Sequence, residues 1–244
     1  MSVSVNLATG TGFVFSEATY ARAREVIARY PAGRERSALL PLLHLVQSEE
    51  GRVSPAGVGF CADQLGLTKA EVGAVATFYT MYKRRPTGEY LVSVCTNTLC
   101  DVLGGGDIFR QLCADLDVGN DETSADGKIT LEHAECLAAC DYAPVVTVNY
   151  EYHDNQTTAS ASDLVAQLRN GERPNPTRGA RLCSLKEMAI QLAGFPDERE
   201  GAVADAVVGA PTLAGVRLAE QAGVTAPNYD PNTPIPTAPA KDNK

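Results

Sequence analysis

The chain is short of basic residues. Its 244 residues carry 21 Lys and Arg against 30 Asp and Glu, a net charge of −9. That balance excludes non-specific nucleic-acid binding, which depends on cations neutralising phosphates. Long apolar runs are missing too. None approaches the roughly 18 residues that span a bilayer, so no direct membrane insertion is expected. The opening MSVSVNLATG has no basic stretch followed by an apolar one and does not read as a signal peptide. There is no Cys-x-x-Cys, so dithiol exchange is not expected. No glycine run completes a nucleotide-binding pattern. Gly10-Thr-Gly12 meets Phe15 where a third glycine belongs, and Gly104-Gly-Gly-Asp-Ile-Phe lacks the Gly-Lys-Ser/Thr of a phosphate loop. What is left reads as a cytoplasmic chain, 44% hydrophobic and 21% charged, with core enough for one large domain or two small ones. In that compartment seven cysteines point to metal or redox chemistry before disulfides.

Composition divides the chain into an arm (1–15), a helical bundle (16–86), a mixed-sheet domain (87–172) and a Pro-rich extension with short helices (173–244). Four helices are expected in the bundle. Ser16 caps the first. Residues 37–50 place Leu39, Leu42, Leu43 and Val46 on one stripe that Gly51 stops. Ser54-Pro55 opens the third and Gly66 closes it, while Thr68 and Glu71 form a capping box for the fourth. After Lys83-Arg-Arg-Pro-Thr-Gly88 the period changes from 3.6 to 2. Strands are expected at 89–95, 128–134 and 145–152, with a fourth to pair with the last. A helix lies within 104–118, with Ile108, Leu112 and Leu116 on one face, and Ser162 is expected to cap a final helix closed by Gly171. From Glu172 onward, a stretch with nine of the fourteen prolines, only two helical pieces are expected, at 184–194 and about 211–221. The fold class is α+β, with helices covering a small mixed sheet.

The cysteines carry the chemistry. Cys95 and Cys100 flank four residues (CTNTLC), and Cys136 and Cys140 flank three (CLAAC). Each pair follows a predicted strand, and loops at neighbouring strand ends meet. Thiolates select zinc, copper(I) or iron–sulfur clusters. Structural zinc usually sits in tighter Cys-x-x-Cys knuckles, whereas a [2Fe–2S] cluster takes two thiolates per iron. The spacing favours [2Fe–2S]; a zinc-stabilised structural module and an unmetallated set stay open as alternatives. Cys61, Cys113 and Cys183 have no partner at ligand spacing and read as small buried hydrophobes. His44 reads as a packing residue, His133 as a neighbour of the Cys136 loop, and His153 as a solvated turn residue. The glycines 104–106 read as backbone freedom beside Cys100.

The segments ALLPLLHLVQSEEG, EVGAVATFYTMYKRRPTGEY, VCTNTLC and CLAACDYAPVVTVN resemble the E-subunit family of bacterial NADH-quinone oxidoreductase, the NADH dehydrogenase of respiratory complex I. The likeness covers about residues 16–171. It implies an N-terminal helical bundle followed by a thioredoxin-like [2Fe–2S] ferredoxin domain, with the C-terminal extension beyond the common core. It implies one [2Fe–2S] cluster on Cys95, Cys100, Cys136 and Cys140, and no catalytic residue in this chain itself. It further implies a flavoprotein partner that holds FMN and NADH, a multi-cluster iron–sulfur partner, and a peripheral place on the cytoplasmic side of the plasma membrane. An NAD-linked hydrogenase or formate dehydrogenase would use the same module. One departure stands out: Ala138 occupies a position where the family often has glycine. If that backbone is left-handed, a Cβ there costs on the order of 1 kcal/mol.

Overall fold

A computed structural model describes residues 13–200, 202, 209–224, 230 and 232. The expected arm up to residue 12, with Gly10 and Gly12, and most of the Pro-rich end lie outside these described residues. The chain divides into two units, residues 1–206 and 207–244.

Helices open the first unit: α1 (Glu17–Ala28), α2 (Leu39–Glu50), α3 (Pro55–Leu65) and α4 (Lys69–Phe78). Their ends follow the local chemistry. The Ser16 hydroxyl accepts from the Thr19 N–H, Ser54 accepts from the Ala56 and Gly57 N–H groups, and Thr68 and Glu71 close their reciprocal box. Gly51 and Gly66 end α2 and α3 in the left-handed region, at φ 82° and 64°. Leu42, Leu43, Val46, Phe60 and Val72 lead the bundle core.

The sheet and its helices follow: β1 (Tyr90–Cys95), α5 (Thr98–Val102), α6 (Gly105–Leu116), β2 (Glu122–Thr123), β3 (Ile129–Ala134), β4 (Val146–Val148), β5 (Glu151–His153) and α7 (Thr158–Arg169). The strands lie in the order β2-β3-β1-β4-β5. β1 and β3 are parallel; the other neighbours are antiparallel. Strand alternation sorts the two faces. Val92, Val94, Ile129, Leu131, Val146 and Val148 pack against α6 and α7. On the opposite face the register aligns Glu132, Ser93, Thr147 and Tyr152 in one polar row.

Three expectations change here. Residues 145–152 are a hairpin, not one strand, because Asn149 and Tyr150 both take positive φ, at 47° and 73°, as a two-residue turn requires. The last helix starts five residues early, capped by Thr157 with Ser160 in the box, and Ser162 instead donates to Asp115. Residues 173–195, expected as part of the Pro-rich extension, are built into the first unit. There α8 (Leu185–Leu192) packs on α2, donating from Lys186 Nζ to the Glu49 carbonyl at 3.0 Å. This cover is why α2 buries Leu42 through Ser48 continuously and not as a single stripe.

Between them, residues 173–183 cross the free edge of β5. The backbone of Tyr152 pairs with Thr177 and Arg178, closing an edge that would otherwise present unpaired groups. Asn149, fully buried, fastens this crossing. Its side chain accepts from the Leu91 N–H and donates to the Glu89 and Cys183 carbonyls. In the second unit, α9 (Ala210–Ala222) has Pro211 in its first turn and ends at Gly223.

Candidate metal centre

Cys95 ends β1 and Cys100 sits in α5, a helix absent from the sequence expectation. Asn97 creates it by capping: its Oδ1 accepts from the Thr98 N–H at 3.0 Å. The chain then turns back through Gly104, at φ 109°, into α6. A Cβ on Gly105 would collide with the carbonyl oxygens of Cys95 and Cys100, the latter at 2.9 Å. The expected backbone freedom beside Cys100 therefore has two parts, a left-handed Gly104 and a Gly105 pressed against the loop.

The second pair follows β3. Cys136 and Cys140 are exposed, with their sulfurs 3.6 Å apart. The Ala138 N–H points to the Cys136 Sγ at 3.4 Å. Ala138 has φ 57°, so the departure noted in the sequence does fall on a left-handed position and carries its strain. Tyr142, just past Cys140, accepts at its carbonyl from the Asn155 N–H, and the Pro144 carbonyl accepts from Gln156.

The two loops are joined directly. Asn97 Nδ2 donates to Glu135 Oε2 at 2.8 Å, the Thr96 N–H to the Ala134 carbonyl, and the Cys95 N–H to Val145. Cys95, Cys100, Ala139 and Val145 share a small apolar cluster. Burial pushes the Cys100 thiol up to about 11, and the Cys95 sulfur and, further off, Cys140 add to it. Cys136 likewise raises the Cys140 thiol, with Cys95 contributing. All four predicted cysteines thus gather at one end of the sheet, one pair buried and one exposed, and none is in a disulfide. Among the described residues no three His, Cys, Asp or Glu side chains close on a single ion-sized point. The sulfurs stand two and two, and a [2Fe–2S] cluster takes two thiolates per iron.

The remaining sequence candidates, apart from His133, which lines a cleft together with Cys136, separate from this site. Cys61 is buried in α3 and Cys183 before α8, as small hydrophobes; Cys113 is half-buried on α6. His44 is buried against the Tyr82 ring, and burial lowers its pKa to about 4. His133 packs edge-on to Phe109. His153 is not a solvated turn residue. It lies buried in β5, its pKa also lowered to about 4 by desolvation, because the chain turns before it, at Asn149 and Tyr150.

A cleft of 1130 Å³ opens beside Cys136, between the end of the bundle and the polar face of the sheet. The buried Lys83 ammonium pairs there with Glu132, whose other oxygen accepts from Ser93 at 2.7 Å. Sequence reasoning missed Tyr152, which donates from its hydroxyl to the Leu137 carbonyl at 3.0 Å. It also missed the bridging role of Asn97. Neither has a local pattern that would reveal it, since each partner lies on another element.

Among known proteins, a family model, thioredoxin-like [2Fe-2S] ferredoxin, matches residues 23–169. The NADH-quinone oxidoreductase E subunit of Mycobacterium bovis is 60% identical over 207 residues, which is 84% of this chain and 80% of that protein. NADH dehydrogenase [ubiquinone] flavoprotein 2, mitochondrial, of Dictyostelium discoideum is 35% identical over 163 residues, 66% of each chain. Among solved structures, a chain of an NAD+-reducing [NiFe]-hydrogenase is similar at 20% identity and a TM-score of 0.49, over 55% of this chain and 23% of its own.

Proposed function

Because this chain belongs to the thioredoxin-like [2Fe–2S] ferredoxin family, among the E subunits of NADH-quinone oxidoreductase, we propose that Cys95, Cys100, Cys136 and Cys140 hold its one [2Fe–2S] cluster. On this reading the chain is an electron-transfer subunit of the NADH dehydrogenase module of complex I. The cluster exchanges single electrons with FMN on a flavoprotein subunit, which also binds NADH. A multi-cluster iron–sulfur subunit is the other neighbour, and the assembly is peripheral, on the cytoplasmic side of the plasma membrane. No helix among the described residues is long and apolar enough to cross a membrane.

The observation that carries this reading is the gathering of the four free cysteines from two loops, joined by the Asn97–Glu135 bond. A bound [2Fe–2S] cluster supplies one-electron chemistry and takes no hydride. The chain's own residues do the rest. Cys95 and Cys100, sealed by Gly105 and Val145, keep water from one side. Cys136 and Cys140 give the site a side that a redox partner can approach. Each added electron adds negative charge, which the Ala138 N–H at the Cys136 sulfur offsets in part. The bundle of residues 16–86 is the scaffold, and the layer 87–172 holds the site.

Iron and acid-labile sulfide per chain, measured on anaerobically purified protein, test the reading together with an EPR spectrum after dithionite reduction. About two irons, two sulfides and a rhombic S = 1/2 signal are expected. Stoichiometric zinc and no signal, from cells with ample iron, would make the four cysteines a structural site and end the electron-transfer reading.

A further inference from the structure

One arginine beyond the expected domain boundary reaches back to the second cysteine loop. The Arg178 guanidinium lies over the Tyr142 ring at 4.5 Å and over the Tyr152 ring at 4.6 Å, within the range where cation and ring attract. It also forms a fork with Asp154, Nε to Oδ2 at 2.6 Å and Nη2 to Oδ1 at 2.8 Å. Asp154 is buried and also accepts from the Thr177 hydroxyl at 2.9 Å, so the fork has a fixed base. Both rings belong to the loop's supports. Tyr142 lies two residues past Cys140. Tyr152 bonds through its hydroxyl to the carbonyl of Leu137, inside the loop. The loop needs such support, because Ala138 holds it in a left-handed turn that its own sequence disfavours.

We infer that Arg178, clamped between Tyr142 and Tyr152, is a positioning residue for the Cys136 and Cys140 loop, and that through it residues 173–183 set the shape and the electrochemistry of the site. The inference rests on the four cysteines being the cluster ligands. It gives this crossing segment a task beyond closing the sheet edge: a delocalised cation that only a planar fork can stack on two rings while binding one carboxylate. The Arg178 charge, stacked on Tyr142 two residues past Cys140, also interacts with the Asp141 carboxylate next to Cys140.

Three full-length variants test this: Arg178→Gln, Arg178→Lys and Tyr152→Phe. Tyr152→Phe keeps both rings and removes only the bond to Leu137, so it leaves the fold intact. In the metal-free chain, amide exchange at residues 137–142 should rise about tenfold in Arg178→Gln and several-fold in Tyr152→Phe, with residues 96–100 unchanged. In iron-loaded chains, Arg178→Gln should lower the midpoint potential and shift the EPR g values. Arg178→Lys should recover the potential but not the g values, since it keeps the charge and loses the stacked plane. Wild-type exchange rates, or wild-type g values and potential in all three loaded variants, would overturn the inference. A wild-type chain without iron would sink the cluster reading separately, and the exchange comparison would still decide whether Arg178 holds the loop.

Discussion

The two cysteine loops reach the same end of the sheet by opposite means. The first is built from its own sequence. Asn97 caps the helix that carries Cys100, and Gly104 and Gly105 return the chain at once into α6. Its sulfurs are buried, and its tolerance is set by how close one backbone lies to another. The second has no α-helix, only a 3-10 turn at Cys140–Tyr142, and no glycine, and its sulfurs are exposed. Its shape is held from outside, by Tyr152, Asn155 and Gln156, against the strain at Ala138. A loop of the first kind is rigid wherever its residues fold. One of the second kind is only as rigid as the strand and segment behind it.

The sharpest way to break this contrast is Gly105→Ala. The new methyl meets two carbonyl oxygens that cannot swing aside, so a loss of about 3 kcal/mol or more is expected in urea unfolding. A loss under 1 kcal/mol, on the scale of strain alone, would show that the first loop yields as the second does.

Acid should act on the supports of the second loop. His153, in β5 beside Tyr152, is held near pKa 4 by burial against about 6.5 in an unfolded chain. Its folded pKa is depressed, so the unfolded state binds the proton first. The stability it supports is complete above pH 6.5 and is lost as pH falls toward 4, at a cost of about 2–3 kcal/mol. His44 behaves alike within the bundle, while Asp126 and Glu71, depressed to about 2 in the fold, begin to lose their contribution only below about pH 5, in wild type and variant alike. Unfolding curves between pH 7 and 4.5 should therefore fall less steeply for His153→Asn than for wild type; equal slopes would refute this.

Smaller effects refine the comparison. Ala138→Gly should stabilise the metal-free chain by about 1 kcal/mol, because glycine takes the left-handed turn without its Cβ penalty. A destabilised variant would mean that Ala138 is not strained. Asn97→Ala removes the bond between the loops and the α5 cap together, and should cost about 1 kcal/mol, read as a lower midpoint in urea. No change would leave the loops joined by backbone alone.

Where signals were local, the sequence was legible. The caps at Ser16, Ser54 and Thr68 lie where their side chains imply, as do the glycine stops at 51 and 66 and the apolar face of α6. The two cysteine pairs were legible in the same way, as short spacings at strand ends. What escaped was set at a distance. The hairpin within 145–152 turns at Asn149, a residue that tolerates positive φ and is fixed there by bonds to three remote backbone groups. Residues 173–195 read as an extension because their prolines and brief periodicity give no hint of β5 or α2, the surfaces they cover. His153 was misjudged for the same reason, since its burial depends on where the hairpin turns.

Asn149 bears on how this protein is made. Its amide closes the first strand, the hairpin turn and the Cys183 carbonyl into one knot. Residue 183 leaves the ribosome after every strand and helix of the sheet layer. Until it arrives, the amide has a donor unmatched and the edge of β5 is bare, so the layer stays unfinished after all its strands have been synthesised. A nascent chain paused near residue 172 would carry every cysteine of the site and still lack the piece that locks them in place.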